Sequence, residues 1–147
     1  MLLNILIGSG LVIVTTFIHA AAMVFGLHRV ESARKRHKST GSRPRRATAV
    51  AALVVVMFLA SVLESTVWAV TYVMLGAIEG FERAIYFSTV TYTTLGYGDV
   101  VMEDRWRLLS AFEAADGIIM FGWTTALIFA AVNIFYRNDP EIVSADP

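Results

Sequence analysis

The sequence predicts an all-α membrane protein with three transmembrane helices and, between the second and third, a short re-entrant helix leading into a loop. Three observations predict it. Of 147 residues, 56% are hydrophobic and 16% are charged. Three stretches, residues 2–27, 47–78 and 108–136, are apolar enough and long enough to cross a bilayer, which needs about 20 helical residues for about 30 Å of hydrocarbon. The connection between the second and third holds "TYTTLGYGDV" at residues 91–100, where two glycines punctuate a hydroxyl-rich run.

The first span carries no formal charge, and only Met1, Leu2, Leu3 and Asn4 precede its apolar core. Secretory signals place positive charge before that core. Here the basic residues follow it, so a retained helix with its N-terminus outside is expected. Residues 28–46, "HRVESARKRHKSTGSRPRR", hold eight of the twelve lysines and arginines. The positive-inside rule makes this segment a cytoplasmic linker. It also suits anionic lipid headgroups, although a topology signal alone explains it. Within it, "STGSRP" at 39–44 is expected to break any helix continuing from the first span.

The second span then runs outward and the third returns, so residues 77–106 face out. Arg83 and Arg105 are set there against Glu79, Glu82, Asp99, Glu103 and Asp104. That acidity would concentrate cations at the outer surface. Residues 137–147 form a short cytoplasmic tail, too small for a ligand-binding domain, so gating by calcium or a nucleotide within this chain is not expected. The chain has no cysteine and a formal net charge of zero. No disulfide framework is possible, nothing draws it to nucleic acid, and the redox compartment is not legible. No nucleophile triad, metal-ligand cluster or phosphate loop stands out, so neither an enzyme nor an organic cofactor is expected.

Residues 81–93, "FERAIYFSTVTYT", read as a helix of about three turns. Gly76 and Gly80 suit the turn before it, and Glu82 suits its N-terminal dipole. A helix too short to span is tolerated in a bilayer only where it is buried in protein or lines water. After it, Gly96 and Gly98 take positive φ readily. Alternating backbone handedness can point successive carbonyls the same way. Oxygens lined along one axis are ligands suited to a hard cation.

At these residues the chain resembles the tetrameric potassium channels. "TTLGYGD" looks like their selectivity-filter signature, and "RAIYFSTVTYTTLGYGD" is similar to their pore helix and filter as one block. In "WRLLSAFEAADGI", Arg107 and Gly117 keep the spacing of the family's arginine and inner-helix hinge glycine. The likeness covers residues 47–136 and is to the prokaryotic type with two transmembrane helices and a pore loop. It implies a pore domain there, a bacterial inner (plasma) membrane, and a homotetramer, since each chain brings one filter and a pore needs four. It also implies potassium ions coordinated at Thr94, Leu95, Gly96 and Tyr97, with Gly98 completing the filter. Gly117 and Gly122 become hinge candidates, small residues for helix contact being the other reading of Gly122.

The chain departs from that pattern in places. Leu95 stands where valine is commonest, which touches on selectivity. Val90 stands where some relatives carry a glutamate that pairs with the aspartate after the filter. Asp99 therefore needs another donor, either Tyr86 or water. Tyr86 and Phe87 would form the aromatic cuff where tryptophans are common, so a filter held loosely at its outer mouth is expected.

Glu64, Glu113 and Asp116 fall inside spans, and intramembrane acids are costly enough to suggest function. At 1.5 Å per residue, Glu64 and Asp116 lie at similar depths of about 18 and 13 Å. They could share a proton or a hydrogen bond, or reach Ser88, Thr89 and Thr91. A proton-sensitive latch beside Gly117 and a structural polar lock are both open, the lock being the plainer reading. The extra first helix, residues 1–27, has no arginine repeat and so is no voltage sensor. Its small and hydroxyl residues (Gly8, Ser9, Gly10, Thr15, Thr16, Ala20–Ala22) suit packing on the second helix at the tetramer's periphery. His19 is read as a hydrogen-bonded packing residue, and Trp68, Trp106 and Trp123 as interface or core aromatics. The function expected is passive potassium conduction. A weakly selective cation channel and a non-conducting accessory or sensor protein on the same fold are the alternatives.

Overall fold

A computed structural model describes residues 1–36 and 43–136. The described part of the chain is all-helical: α1 (Leu2–Arg36), α2 (Arg43–Met74), α3 (Phe81–Tyr92) and α4 (Arg107–Tyr136). Three of these contain stretches long and apolar enough to span a membrane, Leu2–Ser32, Ala47–Met74 and Arg107–Asn133. Their outward faces are apolar, with Phe17, Phe58 and Phe129 each about two-thirds exposed or more. Such faces suit a surrounding hydrocarbon solvent.

The helix limits differ from the expectation at the basic segment. α1 does not stop at residue 27 but continues through Arg29 to Arg36, and α2 begins at Arg43. Nothing between Leu27 and Arg36 breaks a helix, and lysine and arginine are good helix formers. Part of the expected break (39–42) and the tail at 137–147 lie outside the described residues.

α2 ends in a Schellman motif. The Gly76 amide donates to the Val73 carbonyl and the Ala77 amide to Tyr72, at 3.0 and 2.9 Å. Gly76 supplies the positive φ of 63° that this closure requires. Gly80, with φ 83°, then starts α3. Ala84, Phe87, Ser88 and Tyr92 recur at helical spacing on α3 and are buried. That face packs against α2 and α4.

α1 is not confined to α2. It lies along both α2 and α4, and its glycines mark the close approaches. A Cβ on Gly8 would sit 2.8 Å from the Phe112 ring of α4, and one on Gly26 would collide with the Leu53 side chain of α2. Near the top, the Asn4 side chain donates to the Arg105 carbonyl at 2.6 Å. The apolar core beneath the loop is built on Trp68, Tyr72, Phe87, Trp106 and Leu109.

The two hinge candidates on α4 differ in surroundings. A Cβ at Gly117 would fall on the backbone carbonyl of Tyr92, whereas one at Gly122 meets nothing within 4 Å. Gly117 is thus a contact glycine that lets α4 touch the end of α3. Backbone cannot swing aside as a side chain can, so Gly117→Ala should destabilise the protein by about 1–3 kcal/mol or more. Gly122→Ala should leave the fold intact. Thermal unfolding of the two variants in detergent checks this, and equal midpoints would count against the contact.

Candidate functional site

The loop grows out of the C-terminus of α3. The Thr94 amide donates to the Thr91 carbonyl at 2.9 Å, and the Leu95 and Gly96 amides both donate to Val90, at 3.0 and 3.2 Å. This is again a Schellman closure, but the left-handed position is filled by Thr94, with φ 59°. Glycine is the ordinary occupant there, and a β-branched residue at positive φ is an outlier. Beyond it, Gly96 has φ 58° and Gly98 φ 78°. Positive φ therefore recurs at every second residue from Thr94 to Gly98. The run from Thr93 to Asp99 is exposed on the single chain, including 54% of Leu95 and 67% of Tyr97.

Above the loop, the Tyr86 hydroxyl donates to Asp99 Oδ2 at 2.6 Å. That bond favours the carboxylate and holds Asp99 below its ordinary value of 3.8, while it pushes the Tyr86 phenol up. Phe87 has no part in this contact. It is buried edge-on against Tyr72, with ring centres 5.6 Å apart, so of the expected cuff only Tyr86 reaches Asp99. A cleft between α3, the loop and α4 is lined by Tyr86, Phe87, Val90, Asp99, Arg107 and Ser110, among others.

Below the loop lie the three acids, all fully buried. Glu64 and Asp116 do not hydrogen-bond each other; each has donors from other helices. Glu64 Oε2 accepts the Tyr92 hydroxyl at 2.6 Å, and its Oε1 lies 3.0 Å from His19 Nδ1. Asp116 Oδ2 accepts from Thr15 Oγ1 at 2.8 Å and from Trp68 Nε1 at 3.0 Å. Its Oδ1 has no partner among the described residues. Of the expected pore-helix hydroxyls, Ser88 reaches an acid, and that acid is Glu113. Thr89 turns back to the Ile85 carbonyl.

Glu113 Oε2 accepts the Tyr72 hydroxyl at 2.6 Å, while Oε1 is bonded to Ser88 Oγ. Ser88 has one proton yet also lies 2.5 Å from the Ser65 carbonyl. The count closes when Ser88 donates to Ser65 and Glu113, as the acid, donates to Ser88. His19 is completed by Thr124 Oγ1, 3.1 Å from Nε2, and by stacking on Trp123 with ring centres 5.5 Å apart. Sequence reasoning missed Thr15, Trp68, Tyr72 and Tyr92 as partners of the acids, and Thr124 as the partner of His19. Helical spacing held a signal for some of them: Thr15–His19, Glu64–Trp68–Tyr72 and Ser88–Tyr92 each recur at i, i+4 on one face.

Two spanning helices that bracket a short helix and a loop of alternating handedness define a pore-loop membrane unit. The chain belongs to the ion channel family, whose profile matches residues 48–133. It is an integral membrane protein of that class, and α1 lies outside the matched stretch. No curated protein and no solved structure matches the chain.

Two outcomes follow from these bonds. Tyr86→Phe should raise the Asp99 titration toward 3.8. The bond favours the charged carboxylate, so its contribution is present above the ordinary carboxylate range and is lost as pH falls through the lower, folded value. Carboxyl carbon NMR reads that shift. Glu113→Gln keeps a donor for Ser88 and an acceptor for Tyr72, so its unfolding midpoint should stay close to the parent. Glu113→Leu strands the Tyr72 hydroxyl, while Ser88 keeps the Ser65 carbonyl, so it should destabilise by about 1–3 kcal/mol.

Proposed function

We propose that the chain is the subunit of a homotetrameric potassium-selective channel that conducts passively through the loop from Thr94 to Gly98. The observation that carries this reading is the alternation of positive φ at Thr94, Gly96 and Gly98. Alternation brings successive carbonyls to one side of the strand. Four copies around an axis then replace the hydration shell of a potassium ion, as carbonyl rings do in potassium filters. The Thr94 hydroxyl adds the innermost ring of oxygens.

Two further features support the reading. Leu95 and Tyr97 are exposed apolar side chains on the single chain, and neighbouring subunits would cover them. The last turn of α3 leads directly into the loop, so its partial negative charge favours a cation beneath the filter. By the charge distribution, the acidic connection faces outside, with the N-terminus out and the tail in the cytoplasm. Potassium is the cargo. The basic segment can meet anionic lipid, and a bacterial inner membrane fits the resemblance.

Purified protein in liposomes tests this directly. Potassium flux should exceed sodium flux, and Gly96→Ala should reduce potassium flux by about tenfold or more, because its left-handed backbone disfavours a Cβ. Equal potassium and sodium fluxes would favour the weakly selective alternative produced by Leu95. No flux under any applied voltage, pH or lipid composition would favour the accessory-subunit reading.

A further inference from the structure

We infer that α1, the helix outside the ion-channel match, is part of the foundation of the loop, with His19 as a positioning residue that acts through Glu64 and Tyr92. The chain of contacts is continuous. His19 is fixed on α4 by Thr124 and by the stack on Trp123. Its Nδ1 meets one oxygen of Glu64, and the other oxygen accepts from Tyr92. Tyr92 is the last residue of α3, and its carbonyl rests on Gly117. Two residues earlier, the Val90 carbonyl receives both the Leu95 and the Gly96 amides. The hydroxyl that anchors the end of α3 is therefore held by a carboxylate whose second oxygen depends on α1.

Burial makes the dependence strong. His19, Glu64 and Tyr92 are each at most 1% exposed, and a bilayer supplies no water to replace a lost partner. Without the imidazole, Glu64 Oε1 is stranded and its carboxyl must turn toward whatever donor remains, releasing Tyr92. One tautomer satisfies every atom: Nδ1–H donates to Glu64, and Nε2 accepts from Thr124. The geometry also specifies the conservative replacement. The amide nitrogen of asparagine falls near Nδ1 and can still donate to Glu64, whereas leucine fills the space without a donor.

This consequence for the loop does not require that the protein conduct, so the test has two independent readouts. Hydrogen–deuterium exchange on the full chain in lipid nanodiscs follows the amides of residues 93–98. His19→Leu should speed their exchange by about tenfold, and His19→Asn should return it to within about threefold of the parent. Tyr92→Phe, which removes only the hydroxyl, should reproduce the effect. The double variant His19→Leu with Tyr92→Phe should add nothing further, because both break one chain of bonds. In liposomes, the ratio of potassium to sodium flux should fall in His19→Leu and recover in His19→Asn.

Unchanged exchange at residues 93–98 in both His19→Leu and Tyr92→Phe overturns the inference. So does acceleration spread evenly over all four helices with asparagine no better than leucine, which marks general loosening. A parent protein that carries no potassium, with the exchange pattern as expected, overturns the channel reading and leaves the positioning role standing.

Discussion

Glu64, Glu113 and Asp116 lie where neither water nor lipid can solvate them, and the rest of the structure depends on how the protein does it instead. Their partners come from three helices: Thr15 and His19 from α1, Trp68 and Tyr72 from α2, and Ser88 and Tyr92 from α3. Lipid tails are as apolar as leucine, so burial of apolar side chains gives little drive to bring membrane helices together. Hydrogen bonds between helices contribute only about 0.6 kcal/mol each on average, so these few bonds do not dominate gross stability. An unsatisfied buried group is far more costly, several kcal/mol in the hydrocarbon region. The acids therefore act mainly by excluding other helix registers: a slide or rotation of one helix by a residue strands several polar atoms together.

The loop shows the opposite balance, a local backbone penalty that the fold retains. Thr94 at φ 59° is held where glycine would be relaxed, at a strain of about 1–3 kcal/mol. Its own amide and that of Leu95 close the helix end, so the surroundings hold the conformation in place. Glycine at 94 would make the same two backbone bonds with less strain but would bring no hydroxyl. A threonine kept in a glycine position points to a use for its oxygen, and the ion pathway proposed for the loop supplies one. Departures from local preference of this kind are expected at functional sites.

What could be read from the sequence followed the range of the interaction responsible. Hydropathy and chain length located three spans, because spanning depends on composition over about 20 residues. The handedness of Gly96 and Gly98 was legible because it belongs to single residues. The end of α1 was not, since nothing breaks the helix between Leu27 and Arg36. The acid partners were the least legible. Thr15 and Asp116 are 101 residues apart, and His19 and Glu64 are 45 apart. Depth along the helices put Glu64 and Asp116 at similar levels but could not say which way each points. Rotation about each axis decides that, and it is set by packing. Phe87 neighbours Tyr86 in sequence yet packs edge-on against Tyr72 of α2, while Tyr86 reaches Asp99, a division that rotation about the α3 axis also decides.

The division between the faces of α3 bears on assembly. Ser88 and Tyr92 face inward and are bonded to the acids, while Glu82, Arg83, Tyr86, Thr89 and Thr93 lie on exposed positions of the same short segment. Thr89 and Thr93 direct their hydroxyls back to carbonyls one turn earlier, which lowers the penalty of an apolar setting. The Tyr86–Asp99 pair has no such refuge, because it presents a carboxylate. Nor do the loop amides and carbonyls beyond Gly96, for which no helix or strand supplies a ladder. Irregular backbone at membrane depth is stable only against protein or water, so this face cannot be a lipid face. The proposed tetramer around an aqueous axis would meet that requirement with the surfaces the protein already carries.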